Sequence, residues 1–403
     1  MDNRINGPRL PASTQSVTAP ANAEVGQPAG DANAVAGSVA RRSAVINRNG
    51  LQTLRNPQNP QPAPVNMALL NPFHPDGKTH IGNFLVSEDR AALGVTHMRI
   101  TNIATFSNAD LQKMAERDTA AGSTITHLDL QNCRALTDEG LAYLNSFKNL
   151  KSLNLDNCRW MTNAGLAHVG KIEGLESLSL RNGNIVNVIN EVGFRHLSRL
   201  TALTSLDLQG NRLITDASMI HLTGMKKMAA LNLRNTGITN ASLVHVNGCD
   251  QLTSLELSHT RTSNNGLASL NKLTKMETLQ LNRCHVIDGA GLRHLKPMTR
   301  LQSLGLKSNN GLLNAGLVEL LDHPRLQEVE LSFCPDIQDD SLRTLGKMPQ
   351  LRSIRLSHNG RVTDAGLPHL AALNQLTTID LSGTRVSAAA VAQLRERNIT
   401  VQH

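Results

Sequence analysis

The sequence predicts an α/β solenoid of about 11 repeats, and three observations carry that prediction. Apolar residues recur at a nearly fixed step: Ile125, Leu150, Leu175, Leu203, Met228, Leu252, Met276, Leu301, Leu326, Leu351 and Leu376, 24–28 residues apart. Behind each stands an alternating Leu-x-Leu, short enough for a strand with both leucines on one face. A polar pair then follows, as at Thr137-Asp138, Thr215-Asp216 and Thr363-Asp364. That is the composition of a helix N-cap. One unit cannot bury its apolar face alone, whereas a stack makes a continuous core.

Each unit reads like LKSLNLDNCRWMTNAGLAHV, residues 150–169. A period of 20–29 residues with LxxLxL is the leucine-rich-repeat signature. Helices are wider than strands, so the expected shape is a horseshoe with strands on the concave side and helices on the convex side. Gly140, Gly165, Gly266, Gly291, Gly316 and Gly366 share one position near the helix start. There a missing side chain is expected to let the helix lie close to the strand layer. A degenerate earlier unit begins near Val95, with Met98 and Ile100 in strand positions. At the other end Leu394 completes the last helix, and Ile399 and Val401 add a final strand edge. No segment for a C-terminal catalytic domain is expected after them.

Three regions follow. Residues 1–66 are rich in Ala, Asn, Pro, Gln, Ser and Gly, and contain too few bulky apolar residues to offset the entropy of ordering. They read as a disordered tail, either an ordinary flexible one or a non-cleaved secretion signal. Residues 67–124 read as a helical segment and N-terminal cap, and residues 125–403 as the repeat domain.

Composition narrows the function. The net charge is +8 with signs interspersed, and the aromatic residues are Trp160, Tyr143 and six Phe. Neither a basic block nor a stacking surface points to nucleic acid. No apolar h-region opens the chain and no run of 18 apolar residues occurs, so neither a Sec-type signal nor a membrane span is expected.

Five cysteines without a CxxC pair fit a reducing compartment. Cys133, Cys158, Cys284 and Cys334 occupy a repeat position held elsewhere by Asn211, Asn309, Asn359, Thr236, Thr260, Thr384 or Gly183, which reads as buried and inert. Histidines also form a column: His168, His196, His221, His245, His294 and His369. Packed helices lie about 8–10 Å apart, whereas metal ligands converge to about 2.1 Å from one ion. The column therefore reads as a convex surface feature, and no metal is expected. No GxSxG, HExxH or P-loop occurs. A binding scaffold with no cofactor is expected rather than an enzyme.

The concave face is expected to carry specificity for a protein partner. Between the strand leucines stand Asp129, Asn154, Ser179, Asp207, Asn232, Glu256, Gln280, Gly305, Glu330, Arg355 and Asp380. The candidate contacts are Arg181, Arg234, Glu256, His259, Arg283, Phe333, Arg355 and His358, with Trp160 as a loop anchor.

The cysteine-type wording LxxLxLxxCxxLTDxGLxxL resembles the repeats of F-box leucine-rich-repeat proteins. The preceding stretch, FHPDGKTHIGNFLVSEDRAALGVTHMR, resembles an F-box: Pro75 stands for its opening proline, Ile81, Phe84 and Leu85 for ILSYL, and Asp89, Leu93 and Val95 for the later helix. The resemblance implies a non-catalytic substrate receptor of a Skp-cullin-F-box ubiquitin ligase, with residues 70–99 on a Skp-family adaptor. It extends to the GALA-type bacterial effectors, which implies secretion by a type III system into the host cytoplasm or nucleus. Gly77, Lys78, Thr79 and His80 replace the leucine-rich first helix, and the repeats read TDAGL rather than GAxALA. The alternatives are a scaffold that binds a host protein without ligase recruitment and, for residues 67–124, a cap only.

Overall fold

The computed structural model describes residues 79–81, 84–86, 96–100, 103–182, 188–284, 287–312 and 314–403. The tail, residues 1–66, lies outside them. Among the described residues, 15 strands form one sheet in strict chain order. The first three are β1 (Thr79–Ile81), β2 (Phe84–Val86) and β3 (Thr96–Ile100). From β3 to the last strand, Thr400–Gln402, every neighbour pair is parallel. Register follows the leucines: Met98, Leu128, Leu153, Leu178, Leu206, Leu231, Leu255, Leu279, Leu304, Val329, Ile354, Ile379 and Val401 lie side by side across the sheet. A one-residue slip would put polar residues into this row, so the pattern fixes the pairing. The fold is a leucine-rich-repeat solenoid, and the edge strand expected at Val401 is present.

Behind the sheet run the helices. A 13-residue helix, α1 (Asn108–Ala120), precedes repeat 1 and buries Leu111, Met114 and Ala115. Later helices are short, commonly one α turn continued as a 3-10 turn, as in Asp138–Leu141 followed by Ala142–Ser146. One apolar core runs from Ile100 to Val401.

A ladder of polar side chains joins the helix starts. The Asp or Asn at the first helical position accepts hydrogen bonds from the N-cap residue of the next repeat. Asp216 takes the Thr239 backbone N–H at 2.8 Å and its hydroxyl at 2.6 Å. Asp339 does the same for Thr363 at 2.8 and 2.7 Å, and Asn240 for the Ser263 N–H at 2.8 Å. This explains the Thr-Asp-x-Gly wording, and it revises the reading of the glycines. A Cβ on Gly165 would lie 2.3 Å from Asp138 Oδ1, and one on Gly291 2.2 Å from Asn264 Oδ1. These glycines clear the ladder of the preceding repeat, not the strand layer.

The cysteine column is a second ladder. Cys158, Cys284 and Cys334 thiols donate to the carbonyls of Leu130, Leu257 and Leu306 in the preceding repeat, at 3.3, 3.5 and 3.3 Å. The amides of Asn211, Asn309 and Asn359 reach the equivalent carbonyls of Leu180, Leu281 and Leu331 at 2.8 Å. Burial pushes the Cys133 thiol up to about 12 and that of Cys334 to about 11, so neither is a nucleophile at neutral pH. Among the described residues no group of three His, Cys, Asp or Glu is placed to hold a metal ion, and no helix is long and apolar enough to cross a membrane.

Within residues 67–124 a helix forms at α1, whereas the described part of the F-box-like stretch is not helical. Ile81, Phe84 and Leu85, aligned with an F-box helix, stand on strands. β1 and β2 pair antiparallel, with Ile81 opposite Phe84, and β2 pairs antiparallel with β3. The unpaired edge of β3 offers a row of backbone donors and acceptors, and the hairpin covers it. The two residues between the strands, Gly82 and Asn83, have the composition of a tight hairpin connection. Pro75, Asp89, Leu93 and Val95 lie outside the described residues.

Candidate interaction surface along the strand ends

In repeats 1, 2 and 4 to 11 the chain leaves the strand through a residue of positive φ. Asn132, Asn157, Gly210 and Asn235 fill this position in repeats 1, 2, 4 and 5, with φ of 62°, 57°, 82° and 54°. Glycine and asparagine are the residues that enter the left-handed region most readily. Repeats 6 to 10 depart from that choice. They hold His259, Arg283, Ser308, Phe333 and His358, with φ between 53° and 60°. Larger side chains in this region cost roughly 1–2 kcal/mol each. Backbone strain of this kind clusters at ligand clamps and other functional sites.

The side chains on this rim interact. The Phe333 and His358 rings stack with centroids 4.2 Å apart and planes at 10°. Lys307 Nζ lies 5.0 Å from the Phe333 centroid, a cation–π contact. Phe333 remains 40% exposed, so part of the stack stays open to solvent. Arg234 Nη2 donates to His259 Nε2 at 3.0 Å, with the ring assigned as neutral. Burial, together with Arg234 and Arg283, lowers the pKa of His259.

The row between the strand leucines is different from the expectation. Asp129, Asn154, Ser179, Asp207, Asn232 and Glu256 are buried. They hold one another and the strand ends. Asp207 accepts from Arg181 Nε at 2.6 Å and from Asn232 Nδ2 at 3.0 Å. Glu256 accepts the Ser258 N–H at 2.7 Å, and Asp156 accepts from the Ser179 hydroxyl at 2.5 Å and the Arg181 N–H at 2.8 Å. Burial raises the pKa of Asp129, Asp207 and Glu256 in spite of their partners.

Of the residues singled out in the sequence, the structure therefore brings together His259, Arg234 and Arg283, and separately Phe333 and His358. Glu256 is part of the buried scaffold, which corrects its assignment to the contact surface. Arg181 is held in the Asp207 ion pair. Arg355 lies 3.9 Å from Glu330, half-buried in the strand row. Trp160 stands apart on the loop of repeat 2, 64% exposed. Sequence reasoning missed Lys307 as a partner of Phe333, and Arg212 and Arg261 beside His259. Their signal was position: Arg212 and Arg261 each lie two residues past a turn residue.

The solenoid and its solvent-facing rim define a leucine-rich-repeat scaffold for protein interaction, and this fold is generally a non-catalytic binding scaffold. The comparisons agree on the class. The Leucine Rich repeat family model matches residues 123–144 and 199–222. An internalin, inlF of Listeria monocytogenes, is similar in structure at 20% identity, over 73% of this chain and 93% of its own, with a TM-score of 0.50. A chain of the yeast Rad7–Elc1 complex is similar at 19% identity, over 73% of this chain and 83% of its own, with a TM-score of 0.53. No curated protein matches the sequence.

Proposed function

We propose that the protein captures a polypeptide partner on the strand-end rim of repeats 6 to 10, with the Phe333–His358 stack as its anchor. The observation that carries this reading is the run of residues other than Asn or Gly in left-handed conformation, four of the five with large side chains, where repeats 1, 2, 4 and 5 use Asn or Gly. An exposed aromatic stack with a cation above it is the composition of an interface centre. Photo-crosslinking tests the reading. A crosslinking side chain is placed at 333 or 358 and, as control, at Val244, which is 62% exposed on the helix side. A partner captured from 333 and 358 and not from 244 supports it. Equal capture from all three sites overturns it.

The cysteine-type repeats favour a finer reading, and residues 70–99 resemble an F-box in sequence although Ile81, Phe84 and Leu85 form strands rather than an F-box helix. The captured partner is then a substrate delivered to a Skp-cullin-F-box ubiquitin ligase, by an effector that a bacterial type III system exports into the host cell. The Rad7–Elc1 chain offers a parallel, since that fold neighbour occurs in a complex with a second protein. A pull-down of the full chain with a plant Skp adaptor, beside Leu93→Ala, tests it. Binding lost in a still-folded variant supports the adaptor role. No binding by wild type leaves the N-terminal segment as a cap.

A further inference from the structure

One part of the rim carries a more specific chemistry. Two residues past the turn, repeats 4, 5 and 6 hold Arg212, Gly237 and Arg261. A Cβ on Gly237 would lie 2.5 Å from the Arg212 carbonyl oxygen, so glycine is required there. Beside it lies a solvent-open cleft of about 490 Å³ lined by Arg212 and Arg261, and also by Asn235, His259 and Arg283. No carboxylate lines it. Among the described residues, none of Arg212, Arg234, Arg261 and Arg283 has a carboxylate partner within ion-pair distance. Arg212, Arg261 and Arg283 are exposed around the cleft, and Arg234 stands behind His259.

We propose that this cleft holds a phosphorylated serine or threonine side chain of the polypeptide partner. The proposal rests on the reading of the rim as the docking surface and names the chemistry of its occupant. A phosphate monoester carries about −1.5 to −2 charges at pH 7 and three acceptor oxygens. It can therefore engage several guanidinium forks together, where one carboxylate is filled by a single bidentate arginine. Three exposed arginines line the one cleft, which favours a compact dianion as its occupant.

A polypeptide is favoured as its carrier because the rim continues. From His259 to His358 there are four strand steps of about 4.8 Å, roughly 19 Å in all. About six extended residues span that length. The same segment that places a phosphate beside Arg261 can thus lay an aromatic side chain on the Phe333–His358 stack.

Fluorescence polarisation with the full chain tests this. The probes are labelled peptides with phosphoserine and Trp six residues apart, in both orders, and their unphosphorylated counterparts. One phosphopeptide is expected to bind at least about tenfold tighter than its plain form, an arginine–phosphate contribution of about 1.4 kcal/mol or more. In Arg212→Ala/Arg261→Ala that preference should fall below about twofold, and inorganic phosphate should displace the probe from wild type. Both side chains are exposed and free of hydrogen bonds, so the variant should keep its circular dichroism spectrum and melting temperature. Equal binding of phosphorylated and plain peptides overturns the proposal, as does a preference that survives in the double variant. Absence of all peptide binding, with no broadening of the inorganic phosphate signal in phosphorus NMR, also overturns it. Equal binding of the phosphorylated and plain peptides that Phe333→Ala/His358→Ala abolishes would sink the phosphate site while sustaining the rim.

Discussion

Asp156 shows what the buried strand row does at the level of one residue. Burial pushes its carboxyl up to about 6, against the hydrogen bonds from Ser179 and the Arg181 N–H. The folded carboxyl therefore binds its proton at a higher pH than the unfolded one, whose pKa is about 4. The contribution of this group to stability is present at low pH, falls as pH rises from about 4 to about 6, and stays lost above. Asp156→Asn keeps an acceptor oxygen and removes the charge. Its unfolding free energy should exceed that of wild type near neutral pH, by up to about 3 kcal/mol, and the gap should close as pH falls to about 4. Urea titrations at several pH values check this, and a gap independent of pH would contradict it. That Asp156 and Asp207 are scaffold was not legible in the sequence. Their polarity suggested a solvent face, and only the flanking strands, which supply Ser179, Arg181 and Asn232, bury them. The turn column was more legible. Asn132, Asn157, Gly210, Asn235 and Gly383 share one position, and that composition signals positive φ, so the outliers between them were open to reading.

At the scale of the element, the repeat was legible because a 25-residue period leaves each apolar position one role. The polar part was legible only as wording. Thr-Asp-x-Gly announced an N-cap, but not that the Asp reaches the next repeat. Gly165→Ala tests this inter-repeat ladder. In an ordinary helix the change from glycine stabilises by about 1 kcal/mol. Here the added Cβ would meet Asp138 Oδ1 and Leu141 Cδ1, and overpacking of this kind costs about 1–3 kcal/mol. Chemical denaturation should therefore show a loss, and a more stable variant would refute the ladder. The N-terminal hairpin was misread for a different reason. Gly82-Asn83 between Thr79-His80-Ile81 and the apolar run Phe84-Leu85-Val86 is a hairpin signal, but the alignment with an F-box read the same residues as helix.

Across the whole molecule, one core carries the stack, and the proposed docking surface lies where the backbone accepts strain. Leu304 is 1% exposed and lies between Leu279 and Val329. Leu304→Arg would bury an unpaired charge and should abolish the cooperative melt followed by circular dichroism. An unchanged melt would refute the register. The rim carries a cost of the opposite kind, because its side chains strain the backbone without filling the core. The central measurement is thermal unfolding of a chain in which His259, Arg283, Ser308, Phe333 and His358 are all replaced by Asn. The loss of the Phe333–His358 stack costs about 0.5–1.5 kcal/mol, and relief at five turns, at up to about 1 kcal/mol each, outweighs it. A variant that melts at or above the wild-type temperature and no longer holds the rim-bound partner is the predicted result. A variant that melts clearly lower would mean that these five side chains hold the solenoid together, and would contradict their role as a docking surface.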